Sequence, residues 1–544
     1  MALAKLQPKS LTTNRRGKPS SADIACAALS GLMLTASFPP LDLSWLAWFA
    51  LIPLLIRLRG VSPRAAFKLG LITGFFHSIT LLYWIVVVLS HYGNINILIS
   101  IGPFALLCLY MSIYPAVFST IILPFQNRRV AALAVPATWV SLEYLRSILF
   151  TGFPWCLMGY SQYSNLTLIQ ISDIFGVYGI SFIIVHTNVV IQLLILSSSR
   201  TIKSLRLEIS TACILLGATI LYGQYQLSGN PDMEATPVYL RTAIVQPNID
   251  QSVKWDPTYR EKTMSVLKRL TLSLVCDSPE LIIWPETAVP FFFQNSREYT
   301  PAVRTLSEKT GASLLFGSPA YTKTDLEVSY LNRAYLINPE GKNLQYYDKN
   351  HLVPFGEYVP LKRFLFFINR LVPSAGDFIH GKTIKPLNDK GQSLGVLICF
   401  EAIFPEIART LAKEGANLIV NMTNDAWFGK TSAPYQHLAM TVFRAVETRI
   451  SVVRAANTGI SAFIDSRGRI LKKGGLFTEE TLTHSVRINK RHMSLYTRFG
   501  DIFALSTLVL ALTILMSLLI KRKLHTKNGI FSKDEKPDDG PGLF

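Results

Sequence analysis

Gly395-Val-Leu-Ile-Cys-Phe-Glu-Ala-Ile-Phe-Pro405 is the stretch that decides the fold of this chain. Its first half is almost continuously apolar, as a strand covered on both faces must be, and it ends on a cysteine. A strand over Ser393 to Cys399 followed by a helix over Pro405 to Glu414 is a building unit of α/β folds, which place their working groups at strand ends. Working outward, the same reading gives strands at Leu240 to Gln246, Leu281 to Trp284, Ser313 to Phe316, Arg333 to Ile337, Leu418 to Met422, Ser451 to Ala455 and Ser461 to Ile464. Helical windows fall at Tyr259 to Cys276, Tyr299 to Thr310 and His437 to Thr448. Asp465-Ser-Arg-Gly468 carries the residues of a tight hairpin turn. Together these predict one α/β or layered-sandwich domain over residues 228–501, near the upper size for a single hydrophobic core.

Two further polar residues end strand-like runs. They are Glu286 in Leu281-Ile-Ile-Trp-Pro-Glu286 and Lys349 in Tyr347-Asp-Lys-Asn-His-Leu-Val-Pro-Phe-Gly-Glu-Tyr-Val-Pro360. A free thiol has a pKa of about 8.5, so Cys399 needs a base or a cation nearby to react. Glu286 suits the base, and Lys349 suits the negative oxygen that forms when a thiolate attacks a carbonyl. Taken singly, each residue has a plainer reading. Cys399 fits a buried apolar position, or a disulfide with Cys276 in an oxidising compartment, and Glu286 with Lys349 fits a surface ion pair. His351 and His437 are not spaced as a metal pair and no Cys/His cluster suggests zinc, so neither metal nor cofactor is expected.

The rest of the chain is unlike a soluble protein. Of 544 residues only 16% are charged, against about 25% in ordinary domains, and the mean hydropathy is +0.31. Apolar stretches run from Asp23 to Phe38, Ser44 to Ile56, Leu69 to Leu89, Ile97 to Pro124, Val130 to Phe150, Leu166 to Leu196, Glu208 to Leu227 and Ile502 to Ile520. This predicts seven spans over residues 23–227 and an eighth over 502–520. Pro39-Pro40 marks a tight hairpin between the first two. The net charge of +19 is spread over alternate loops: Lys5, Lys9, Arg15, Arg16 and Lys18 in the tail, then Arg57 to Lys68, Arg128 and Arg129, Arg200 to Arg206, and Lys521 to Lys527. The loops around Pro39, His91 and Tyr160 have none. By the positive-inside bias, the tails 1–22 and 521–544 face the cytoplasm and residues 228–501 lie outside. No basic stripe or motif suggests nucleic acid. A cleaved signal peptide is the other reading of the first stretch, weakened by the second stretch that follows at once. Glu143 and Arg146, three apart on the fifth stretch, are either functional or paired with each other, and Asp173 in the sixth has the same ambiguity. The polar tail from Lys527 is expected to be disordered.

Trp-Pro-Glu286, Lys349-x-His-Leu-Val-Pro-Phe-Gly-Glu-Tyr-Val-Pro and Cys399-x-Glu resemble the Cys–Glu–Lys site of the carbon–nitrogen hydrolase (nitrilase) superfamily. Seven spans before such a domain and one after it resemble its membrane branch, the apolipoprotein N-acyltransferases. Gly152-Phe-Pro-Trp155, Gly159-Tyr-Ser-Gln162, Gln251-Ser-Val-Lys-Trp255, Asn421-Met-Thr-Asn-Asp-Ala-Trp-Phe428 and Arg454-Ala-Ala-Asn-Thr-Gly459 match as well. The resemblance implies an αββα sandwich on an eight-span bundle in the bacterial inner membrane, working as a monomer with its catalytic domain on the periplasmic side. It implies a two-step transfer. Cys399 takes an acyl chain from a phospholipid, typically phosphatidylethanolamine, and passes it to the amino group of an S-diacylglyceryl cysteine that begins an apolipoprotein. Glu286, Lys349 and Cys399 would be catalytic, Glu357 an additional carboxylate or a residue that only shapes its turn. Trp255, Phe400, Glu401 and Trp427 would face substrate, Trp427 on a lid loop, although both tryptophans also fit a core. Phe400 departs from the family pattern, which has Tyr there. Two rivals remain: a membrane-tethered amidase whose acyl-enzyme water resolves, and a transporter or receptor that binds a small amide without turnover.

Overall fold

The computed structural model describes residues 17–93, 95–126, 130–197, 203–228, 238–323, 328–341, 344–358, 378–488 and 493–531. The basic residues before 17, Arg128, Arg129, Arg200 and the tail beyond 531 lie outside these.

Among the described residues twelve strands form two six-stranded sheets. One runs in the order β12-β1-β2-β3-β4-β5 and the other β11-β10-β9-β8-β7-β6. The strands are β1 Val238–Gln246, β2 Leu281–Ile283, β3 Ser313–Lys323, β4 Val328–Ile337, β5 Leu344–Asp348, β6 Leu387–Asp389, β7 Gln392–Ile398, β8 Leu418–Thr423, β9 Val452–Ala456, β10 Ala462–Ile464, β11 Ile470–Lys473 and β12 Glu480–Ile488. The centres are parallel, β1 with β2 with β3 and β7 with β8 with β9, while the outer pairs are antiparallel. Ile283, Leu315, Val396, Val420 and Val453 meet between the sheets. Helices Arg260–Ser273 and Tyr299–Thr310 cover the first sheet, and Pro405–Lys413 and Ala433–Thr448 the second. All eight predicted strands are present. Sequence pattern misses β5, β6, β11 and β12, which lie toward the sheet edges and, as in the mostly exposed β11, lack an apolar run.

The Ala433–Thr448 helix begins four residues before the predicted start at His437, and every residue in it except Tyr435 is buried. It has a sheet on one side and the helical base on the other, so it carries no solvent face. The base consists of apolar helices Ser21–Ala36, Ile52–Arg57, Pro63–Leu81, Ile97–Ile121, Ala131–Ile148, Ser172–Ile195 and Arg206–Ser228, with Ile502–Phe531 added after the sandwich. A cis Pro39-Pro40 peptide makes the expected turn between the first two. Among the described residues three helices suffice by length and composition to cross a membrane, Ile97–Ile121, Ser172–Ile195 and Arg206–Ser228. A fourth is reached if Pro63–Leu81 and Trp84–Tyr92, bent by 50°, count as one. Of the eight predicted spans, this length test supports three or four among the described residues. Ser21–Ala36 has 16 residues, about 24 Å at 1.5 Å per residue, and Ser44 to Arg57 is a 3-10 turn broken from a short helix. The final helix runs to Phe531, so the polar tail expected to be disordered is helical for its first five residues.

Base and sandwich are bonded together. Asp173 pairs with Arg449 at 2.7 Å, Trp155 Nε1 donates to Gln436 Oε1 at 2.8 Å, and the Ser432 amide donates to the Tyr83 hydroxyl at 3.1 Å.

Candidate active site

Strand β7 ends at Ile398, and Cys399 opens a tight 3-10 turn with φ of 52°. A non-glycine residue in this left-handed region is strained by roughly 1–2 kcal/mol, so neighbours must hold it. Glu401 does part of this. It is fully buried, its Oε2 accepts from the Ile398 amide at 2.7 Å, and its Oε1 accepts from the amides of Asn350 (2.7 Å) and His351 (3.2 Å) and from the Tyr347 hydroxyl (3.0 Å). Burial pushes its carboxyl up to about 7, against these donors. With both oxygens occupied by its own chain, Glu401 ties the cysteine turn to the lysine loop. It is one of the residues expected to face substrate, and here its side chain is fully enclosed.

Glu286, Lys349 and Glu357 converge as expected. Lys349 Nζ lies 2.9 Å from Glu357 Oε1 and 3.3 Å from Glu286 Oε1 and is almost fully buried. Burial disfavours its charge, but Glu357 and Glu286 outweigh that and hold the ammonium well above the usual lysine range. Glu286 Oε2 accepts from the Asn424 amide at 2.9 Å. The Cys399 thiol is pushed up by burial and by the Glu286 charge, with Lys349 pulling the other way, so it rests protonated. Glu357 Oε2 also accepts from the Val353 amide at 2.8 Å, so the carboxylate serves turn and lysine at once. Cys276 is exposed and free, as is buried Cys399, which removes the disulfide reading.

The remaining expected residues line the edge. Phe400 is half-buried and stacks on Phe153 of the base at 6.5 Å. Trp427 follows β8 on a 3-10 turn and meets Tyr92 of the base edge-on at 5.7 Å. Trp255 is half-buried, and its Nε1 has no partner among the described residues.

Six contributors were not foreseen. Asn332 Nδ2 bridges Glu286 Oε1 (2.8 Å) and Glu357 Oε1 (2.9 Å), giving the two carboxylates a shared neutral donor. Lys254, almost fully buried, donates to Thr287 Oγ1 at 2.9 Å and to the Glu286 carbonyl at 3.3 Å. Burial lowers it to about 8 despite the opposing charges of Glu286 and Cys399. Gly317 permits this segment's approach, since a Cβ there would meet the Thr287 nitrogen at 2.3 Å. On the other side of Cys399, His437 Nε2 lies 3.2 Å from the Cys399 carbonyl and Nδ1 3.1 Å from Asp425 Oδ1. Arg454 Nη2 lies 2.6 Å from Asp425 Oδ2. Lys254, Asp425 and Arg454 all stand inside the matching words quoted above, whereas Asn332 left no signal in the sequence. Among the described residues no group of three His, Cys, Asp or Glu is arranged to hold a metal.

Sandwich, thiol, base and paired lysine define the class. Residues 241–491 match the carbon–nitrogen hydrolase family, and residues 30–190 match the apolipoprotein N-acyltransferase N-terminal domain. An apolipoprotein N-acyltransferase of Geobacter metallireducens is 43% identical over 92% of this chain and 96% of its own. Those of Pasteurella multocida and Haemophilus influenzae are each 31% identical over 92% of this chain, and over 96% and 95% of theirs. A crystal structure of a carbon-nitrogen hydrolase from Helicobacter pylori G27 aligns at TM-score 0.36 and 16% identity, over 46% of this chain and 89% of that one. The chain belongs to the apolipoprotein N-acyltransferase family.

Proposed function

We propose that this enzyme N-acylates the N-terminal S-diacylglyceryl cysteine of apolipoproteins with an acyl chain from a membrane phospholipid, phosphatidylethanolamine above others, through a thioester on Cys399. The family supports the lipoprotein acceptor and the membrane setting. The observation that carries the chemistry is the buried Glu286–Lys349–Glu357 group beside a protonated thiol on a turn packed against the apolar base.

In the first step the Cys399 proton passes to Glu286 as sulfur attacks the ester carbonyl. Lys349 faces the oxygen that becomes negative. The tetrahedral intermediate then expels the lysophospholipid alkoxide, which leaves with the proton held by Glu286. In the second step the neutral amine of the diacylglyceryl cysteine attacks the thioester, Glu286 accepts its proton, and Cys399 recovers a proton as the amide forms. Glu357 and Asn332 fix Lys349 and Glu286, Phe400 and Trp255 line the approach, and the Trp427 turn acts as a lid against the base. The apolar base serves as an eight-span anchor in the inner membrane, the shorter apolar helices crossing alongside the three long ones. Both termini are cytoplasmic, residues 228–501 face the periplasm, and the enzyme acts as a monomer.

Intact-mass measurement of the protein incubated with phosphatidylethanolamine tests this. A hydroxylamine-labile gain of one acyl chain, absent from Cys399→Ala, is expected. An unmodified wild type alongside released free fatty acid would overturn the transferase reading in favour of the amidase-like one.

A further inference from the structure

A small cleft opens within the helical base. Met111 and Phe118 give it an apolar wall, and Trp139, Glu143 and Arg146 of the Ala131–Ile148 helix bring polar atoms into it. Those atoms are poorly served by the protein. Glu143 is 6% exposed; its Oε1 accepts from the Met158 amide at 2.7 Å, and its Oε2 has no partner among the described residues. Arg146 Nη2 reaches the Trp155 carbonyl at 3.4 Å, while its Nε and the Trp139 indole N–H have none. Nor do the two charges pair with each other, the plainer reading of their spacing: no ion pair joins them among the described residues. Buried polar atoms are nearly always bonded, and charges inside an apolar helix bundle are costly without counter-charges. Here two orphaned donors and one orphaned carboxylate oxygen share one cleft.

We infer that this cleft is a head-group site for a zwitterionic glycerophospholipid, with Arg146 and Trp139 donating to the phosphate and Glu143 accepting from the head-group ammonium. The inference rests on the phospholipid reading above and adds where the donor is held and how its head group is chosen. Water could satisfy the hydrogen bonds, whereas a phosphate and an ammonium on one molecule supply both the bonds and a counter-charge at each group. The apolar wall suits the start of the acyl chains. The place is right as well. Phe150, at the end of this helix, is 83% exposed, which fits the membrane surface in the orientation proposed. Arg146 touches Trp155, whose ring lies 5.9 Å from that of His437, and His437 reaches Cys399.

The full-length enzyme is placed in nanodiscs of phosphatidylethanolamine or of phosphatidylglycerol, and Cys399 thioester formation is followed by intact mass. Wild type is expected to acylate faster from phosphatidylethanolamine. Glu143→Gln slows that reaction about tenfold, the scale of one charge-assisted hydrogen bond, and brings the ratio between the two lipids close to one. Arg146→Gln slows both lipids to a similar degree, and Arg146→Lys recovers part of the loss. A lipid ratio unchanged by Glu143→Gln overturns the assignment. So does an equal loss with p-nitrophenyl decanoate, a donor without a head group, since that would reveal a structural role only. A wild type acylated by the nitrophenyl ester and by neither lipid would instead overturn the phospholipid reading on which the inference stands.

Discussion

On one side of Cys399 stand Glu286, Lys349 and Glu357, on the other Asp425, His437 and Arg454, and the two groups hold their charges in different ways. In the first, two carboxylates share one ammonium, and Asn332 supplies a neutral donor to both. The group carries an excess of negative charge, as the proposed acceptance of the thiol proton requires. In the second, Asp425 is buried, yet Arg454 and His437 hold its carboxyl far below the usual range, and burial with Arg454 keeps His437 below the usual histidine range. Its charges are fixed as a matched pair. On the mechanism proposed, the difference separates a cluster that would move protons from one that holds the Cys399 backbone in its left-handed turn.

The largest effect falls on the first group. Cys399→Ala abolishes acylation, and Glu286→Gln is expected to slow thioester formation by about 10²–10⁴-fold, the usual range for a general base. Stopped acylation followed by intact mass checks this, with unfolding temperature expected to stay within a few degrees of wild type. The second group should answer in the opposite way. Arg454→Met leaves Asp425 buried without its partner and is expected to cost about 3–5 kcal/mol of stability, read as a fall in the unfolding midpoint. The acylation rate of the molecules that remain folded should change less. A stable but inactive Arg454→Met variant would erase the distinction between the two clusters.

How much of this was readable without coordinates follows the same division. Cys399, Glu286 and Lys349 end apolar runs, so strand-end logic found them and the structure brings them together. The partners of Glu401 were not legible, because its neighbours in sequence say nothing of Tyr347 on β5 and Asn350 in the loop after it, which occupy its oxygens. Asn332 sits inside β4 with no local mark, and its role exists only because β4 lies between β3 and β5. The same limit applies to the base. Hydropathy found every apolar segment, but not that the Ser44 to Arg57 segment is short and broken or that the Trp84–Tyr92 stretch bends away.

Lys254 lies between the two behaviours and gives a smaller effect. It has no carboxylate within ion-pair distance among the described residues and bonds to neutral groups at Glu286 and Thr287. Its ammonium is charged at neutral pH and is lost as pH rises through about 8. Because a lysine in the unfolded chain titrates near 10.4, the unfolded state binds the extra proton between those values, and this group's contribution to stability rises with pH across that window. Its positive charge near Cys399 favours the thiolate, so acylation should show an alkaline limb with a midpoint near pH 8. In Lys254→Met that limb disappears and the rate below it falls by about tenfold, one unit of differential charge interaction. An unaltered profile would place Lys254 with the scaffold cluster.

The smallest effect is expected at Phe400, where the two clusters meet the base. Its ring stacks on Phe153 and packs edge-on against Phe404 at 5.2 Å, and His351 lies 5.9 Å away. Burial and Lys349 lower His351 to about 4, so near neutral pH the imidazole is uncharged and its Nε2 has no partner among the described residues. A hydroxyl added to the ring finds a half-buried, partly polar setting rather than a closed apolar one, and the aromatic stacking is kept. Phe400→Tyr should therefore change acylation by less than about threefold, under 1 kcal/mol. A much larger fall would mean that the pocket is shaped around the bare ring, and that this position, rather than the charged groups behind it, sets how the acyl chain approaches Cys399.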